Sequence, residues 1–130
     1  MYLVIEMNKS PVLTANAPAP AGPYSQAIIA GRSVFLAGQG PFRADGIRID
    51  SSFEAEARQT FSNLAAVAQA SGGSLATAVR VGVYLRDMSN FESMNRVYEE
   101  FFSEPFPART TIQSNLPGFE IEVDAILALD

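Results

Sequence analysis

The chain has 130 residues, 48% of them apolar, and its 9 basic and 14 acidic side chains leave a net charge of −5. Histidine and cysteine are both absent, which excludes Ser-His-Asp and Cys-His catalysis, thiolate chemistry, disulfides and zinc sites built on nitrogen or sulfur ligands. The single lysine, Lys9, lies close to the N-terminus, a poor place for a buried Schiff base, so chemistry falls to carboxylates, hydroxyls, arginines, backbone groups and water.

Met1 to Met7 lacks the basic region of a signal peptide, and no apolar run approaches the roughly 18 residues of a membrane span. We therefore expect a cytoplasmic protein with no membrane partner. One domain is expected over residues 1–130. Residues 1–9 are read as an extension or a poorly ordered lead, with Met7 as an alternative start. Ala15 to Pro23 is rich in proline and alanine and reads as an extended strap. Ser33 to Gly38 is a short apolar run after Gly31 and predicts a strand. Ser51 with Glu54 forms a capping box for a helix carrying Phe53, Ala57, Phe61, Leu64 and Ala68 at helical spacing, and Gly72-Gly73 ends it. Val79, Val81, Val83 and Leu85 alternate with Arg80, Gly82, Tyr84 and Arg86, the period of a half-buried strand. A second box, Ser89 and Glu92, opens a helix with the stripe Phe91, Met94, Tyr98 and Phe101, stopped by Pro105 and Pro107. Arg109 to Ser114 and the segment from Phe119 onward complete the strands.

That order predicts an α+β fold, a mixed sheet with both helices packed on one face. The other face would carry Arg80, Tyr84, Arg109, Thr111, Gln113 and the carboxylates of the last strand, together with Ile126 and Ala128. No helix remains to cover it, so a partner subunit is expected there.

Glu120, Glu122 and Asp124 stand at alternate positions of one strand, and like charges that close require at least one to be paired, or to have a raised pKa if buried. They form either a solvated strand start or a cleft in which one of them handles protons in water attack. Arg109 is their expected cationic neighbour, and Phe106-Pro107-Ala108 holds its backbone extended, as a fork that grips a carboxylate requires. Most arginines are surface residues, and spacing alone favours that reading for Arg109. Gly22-Pro23-Tyr24-Ser25-Gln26 is an ordinary turn or a pocket wall. Gly38-Gln39-Gly40-Pro41 lacks the spacing and lysine of a phosphate loop, which leaves a bare amide loop lining a pocket as its other reading.

Together these segments resemble the Rid (YjgF) family of reactive intermediate deaminases. The resemblance rests on Ala17-Pro18, Gly22 to Ala27, Gly38-Gln39, Arg58-Gln59 with Asn63-Leu64, Asn95 with Tyr98 and Phe101-Phe102, Phe106 to Arg109 and Glu120 to Ala125, and runs from about Pro11 to the C-terminus. It implies a chorismate-mutase-like subunit in a homotrimer with sites between subunits. The implied reaction is hydrolysis of enamine or imine intermediates, such as 2-aminoacrylate and 2-iminopropanoate, to a 2-keto acid and ammonia. The implied catalytic residues are Arg109, binding the substrate carboxylate, and Glu122, orienting or activating water. Tyr24, Gly38, Asn95 and Thr111 would line the pocket, with no metal and no cofactor. Thr111, Ala37 and Gly40 depart from the family's usual cysteine, serine and bulkier apolar residue, so the choice of imino acid stays open. Two alternatives are an endoribonuclease that inhibits translation and a non-catalytic binder of keto acids or amino acids. A net charge of −5 with one lysine speaks against a nucleic-acid partner.

Overall fold

The computed structural model describes residues 8–130; the choice between Met1 and Met7 as the start lies outside the described residues. Of the expected N-terminal lead, Lys9 already belongs to a strand. The strands are β1 (Lys9–Val12), β2 (Ala27–Ala30), β3 (Ser33–Gln39), β4 (Ala78–Leu85), β5 (Ala108–Gln113) and β6 (Ile121–Ala128), and the helices are α1 (Phe53–Ala70) and α2 (Phe91–Phe101). They form one mixed sheet in the order β1-β2-β3-β6-β4-β5, in which only β4 and β5 run parallel. That parallel pair needs a crossover, and α2 supplies it.

Both helices begin close to the expected places but with different caps. At α1 the capping hydroxyl belongs to Ser52, which accepts from the Ala55 amide at 3.2 Å. Of the two adjacent serines, Ser52 stands immediately before the first helical residue with an extended backbone, so its oxygen reaches the third amide of the helix. The Ser89–Glu92 box does not form. Asp87 accepts from the Ser89 amide at 2.9 Å and opens a 3₁₀ turn over Met88–Asn90 that runs straight into α2. Gly72, at φ +91°, closes α1 in a conformation that suits glycine.

The core lies between the helices and one sheet face. Phe61, Leu64 and Val67 of α1 and Met94 and Val97 of α2 meet Val81, Val83, Leu85, Ile121, Val123 and Leu127, all fully buried. The expected inward position of Val79 is corrected. An extra residue sits between Ala78 and Arg80 opposite Leu127 and Ile126, and this bulge leaves Val79 50% exposed.

A second correction concerns β5. Alternation places Arg109, Thr111 and Gln113 on one face, as expected, but it is the helix side. In the parallel register Arg109 pairs with Val81, Thr111 with Val83 and Gln113 with Leu85, and those β4 residues are buried in the core. Side chains of paired residues share a face, so the open face receives Ala108, Thr110 and Ile112 instead. With them stand Phe35, Arg80, Tyr84, Glu122, Asp124 and Ile126.

Candidate functional site: two half-sites on opposite sheet faces

The first half lies beside α2, in a cleft of about 430 Å³ lined by Asn95, Tyr98, Glu99, Phe106, Pro107 and Arg109. The Arg109 guanidinium carbon sits 4.7 Å from the Tyr98 ring centre and 5.7 Å from that of Phe91, and one nitrogen approaches the Met94 sulfur at 3.9 Å. Ring faces attract the cation without using its fork of donors. Arg43, Arg48, Arg58 and Arg86 each face a carboxylate within 4.0 Å; Arg109 has no such partner among the described residues. A half-buried cation with unspent donors at the edge of a cleft has the donor geometry that an anion would require.

Two hydroxyls nearby are also unspent. The Tyr98 hydroxyl and Thr111 Oγ1 are buried without a hydrogen-bond partner. Burial pushes the Tyr98 phenol up, with Arg109 opposing it, so the hydroxyl stays protonated. Thr111 follows Arg109 along the same side of β5 without lining the cleft.

The second half opens on the other side of the sheet, in a cleft of about 390 Å³ whose lining includes Pro18, Tyr24, Gly38, Phe42, Phe119 and Glu122. The strap forms one wall and is pinned by Gln26, almost fully buried. Its side chain accepts from the Thr14 amide at 2.7 Å and donates to the carbonyls of Thr14 and Pro18 at 3.1 and 2.8 Å. The Tyr24 hydroxyl accepts from the Ala21 amide at 3.0 Å, leaving the ring 51% exposed. Gly38 lies in a bulge, where the register slips by one residue between Leu36 and Gln39. A Cβ there would stand 2.9 Å from the Glu122 carboxyl carbon, so the missing side chain makes room for the acid.

The three carboxylates separate as their spacing demands. Glu120 faces Arg86 at 3.6 Å, and Asp124 accepts from the Tyr84 hydroxyl at 3.0 Å. Glu122 has no cation within 4.0 Å among the described residues. Burial first, and then the charge of Asp124, push its pKa up. The hydrogen bond to Asp124 is likewise the main cause that raises the Tyr84 phenol.

The expected site residues therefore fall into two groups. Tyr24, Gly38 and Glu122 share one cleft, and Asn95 and Arg109 share the other. The expectation that Arg109 neighbours Glu122 on one face is corrected: the β4 register points Arg109 toward α2, while Glu122 pairs with Tyr84 on the open face. Within one copy of the chain they do not meet.

Sequence reasoning also missed residues that shape both halves. Phe106 is 47% exposed beside Arg109, and its place between two prolines was the available signal. Phe42 and Phe119 wall the Glu122 cleft; Phe42 is an isolated loop aromatic with no periodic pattern to expose it, and Phe119, expected to open the last strand, precedes β6, which begins at Ile121.

The family model described as endoribonuclease L-PSP matches residues 14–129. A RutC family protein of Pyrococcus horikoshii is 44% identical over 121 residues, covering 91% of this chain and 96% of the relative. A 2-iminobutanoate/2-iminopropanoate deaminase of Dermatophagoides farinae is 37% identical over 122 residues, covering 92% and 95%. Among solved structures, RidA from an Antarctic Psychrobacter superposes with a TM-score of 0.87 at 38% identity, covering 92% of this chain and 99% of that one.

Proposed function

The chain belongs to the Rid (YjgF) family and has its chorismate-mutase-like fold, and on that footing we propose that it hydrolyses small 2-imino acids to 2-keto acids and ammonia. The observation that carries the reading is Arg109, a half-buried guanidinium stacked on Tyr98 with no carboxylate of its own. A relative named as a 2-iminobutanoate/2-iminopropanoate deaminase supports the same substrate class. The site is completed between two copies of the chain, one supplying Arg109 and Asn95, its neighbour supplying Tyr24, Gly38 and Glu122. A closed ring of three satisfies this head-to-tail pairing.

An imine carbon is already electrophilic, so the chain needs no nucleophile, metal or cofactor of its own. Arg109 holds the substrate carboxylate. The imine reacts in its protonated form: water bonds to the iminium carbon as one water proton passes to Glu122 and the π pair moves onto nitrogen, giving a neutral carbinolamine that carries –NH2. Glu122 returns the proton to nitrogen. The C–N bond then breaks, ammonia leaves with that bond's pair, and the hydroxyl oxygen closes the carbonyl as its own proton goes to Glu122 or solvent.

The test supplies imine in situ from an amino-acid oxidase and follows keto-acid release. Arg109→Ala removes a charge-assisted contact of about 1.5–3 kcal/mol, so KM is expected to rise roughly 10- to 150-fold. Unchanged turnover would overturn the assignment. The family description also names an endoribonuclease. Cleavage of labelled RNA that weakens with rising salt would favour that reading, and keto-acid binding indifferent to Glu122→Gln, without turnover, would favour a binder.

A further inference from the structure

The loop that leaves β3 at Gly40 is held more firmly than a surface loop needs. Phe42 bridges to Arg48, and the Ile49 amide donates to the Pro41 carbonyl at 2.7 Å. Two buried side chains of α1 fasten it from beneath. Asn63 donates to the carbonyls of Gly40 and Phe42 at 3.0 and 2.7 Å, and Glu56 holds Arg48 at 3.1 Å.

What this fastening places is the Phe42 ring. It meets Phe119 edge to face, with centres 5.4 Å apart and planes at 75°, and the pair forms an apolar wall of the cleft that contains Glu122. Gly40 is what admits the ring. A Cβ on Gly40 would stand 3.0 and 3.2 Å from two Phe42 ring carbons and 3.5 Å from Phe119, so a side chain there would require the Phe42 ring to shift by a few tenths of an ångström.

We propose that Phe42, seated by Gly40 and Asn63, sets the length of the substrate side chain that the Glu122 half-site accepts. This inference rests on the reading above, in which Arg109 takes the carboxylate and Glu122 the reacting carbon. The remaining substituent then meets the Phe42–Phe119 wall, where a small apolar side chain fits and a charged one loses its water beside Glu122. The substrate class is accordingly 2-imino acids with short apolar side chains, and Phe42 is the residue that excludes longer ones.

The experiment compares imines made in situ from alanine and from leucine. Phe42→Ala should raise the leucine-to-alanine ratio of kcat/KM about tenfold or more, within the range that one or two methylenes command in an apolar pocket. Gly40→Ala should push the ring toward the cleft and lower the same ratio. Phe42→Leu, which retains an apolar contact with Phe119, should fall between wild type and Phe42→Ala and keeps the test valid should the alanine variant misfold. Ratios unchanged in all three folded variants would overturn the proposal while leaving the deaminase reading intact. If the wild type turns over no imine, that reading fails, and calorimetric binding of pyruvate against 4-methyl-2-oxopentanoate decides Phe42 separately. The same shift in binding ratio would uphold its role, and no shift, or no binding of either keto acid, would overturn it.

Discussion

At Glu122 the backbone and one neighbouring charge set the chemistry. The acid stands half-buried behind a glycine that leaves room for its carboxyl group, and burial together with Asp124 raises its pKa. As the base proposed for water attack it must be ionised, so the acid limb of kcat/KM is expected above the ordinary glutamate value of about 4.3. The same shift has a consequence for stability. A carboxyl whose folded pKa is raised holds its proton more tightly when folded; that contribution is complete below the unfolded pKa and is lost as pH rises through the folded one. Glu122→Gln should therefore melt higher than wild type at pH 8, with the gap closing as pH falls below the ordinary carboxylate range, while keto-acid release collapses. A thermal melt series across pH checks the first point, and a Glu122→Gln chain less stable at pH 8 would contradict it.

Among the elements, α1 does more than cover the sheet. Its outer turns carry Arg58, which grips Glu100 of α2 through two nitrogens at 2.9 Å each, and its buried Asn63 fastens the Phe42 loop. The Gln59 amide donates to Asn63 at 2.9 Å, fixing which way Asn63 points. Removing the Asn63 side chain takes a donor from both loop carbonyls, with Gly40 keeping only the Phe42 amide at 2.9 Å. Asn63→Ala is expected to cost about 2 kcal/mol in denaturant unfolding and to relax the side-chain selectivity assigned to Phe42; a cost under about 0.5 kcal/mol, the level of a surface substitution, would show the loop is held by other contacts. The element pattern was largely legible: both helices and the strands from β3 onward follow from apolar period and capping residues. Strand β1 was not, because Lys9-Ser10-Pro11-Val12 has no alternation of its own and is a strand only through pairing with β2. The bulges at Val79 and Gly38 were also hidden, since an extra residue shows only against a partner strand.

For the whole molecule, the decisive feature is that the two half-sites face away from each other. The open face exposes Phe35 and Ile112, each about half accessible, which suits burial against further copies of the chain. If Arg109 and Glu122 meet only across a subunit boundary, two variants that are each impaired at substrate well below KM should rescue each other under those conditions. Co-expressed Arg109→Ala and Glu122→Gln chains are expected to recover about a quarter of wild-type turnover, because one in four random neighbour pairs joins an intact Arg109 to an intact Glu122. Size exclusion of wild type should show a trimer, and a monomer with full activity would overturn the shared site.

By itself the sequence determined the chemistry available and the local elements. With no histidine or cysteine and one lysine, carboxylates, hydroxyls, arginines, backbone groups and water remained, and capping residues with apolar spacing act over a few neighbouring positions. Tertiary structure decided which residues can meet. Alternation divides a strand into two faces but does not say which one turns to the core. For β5 that choice is made by its register on β4, which sends Arg109 under α2 and leaves Glu122 on the far side of the sheet.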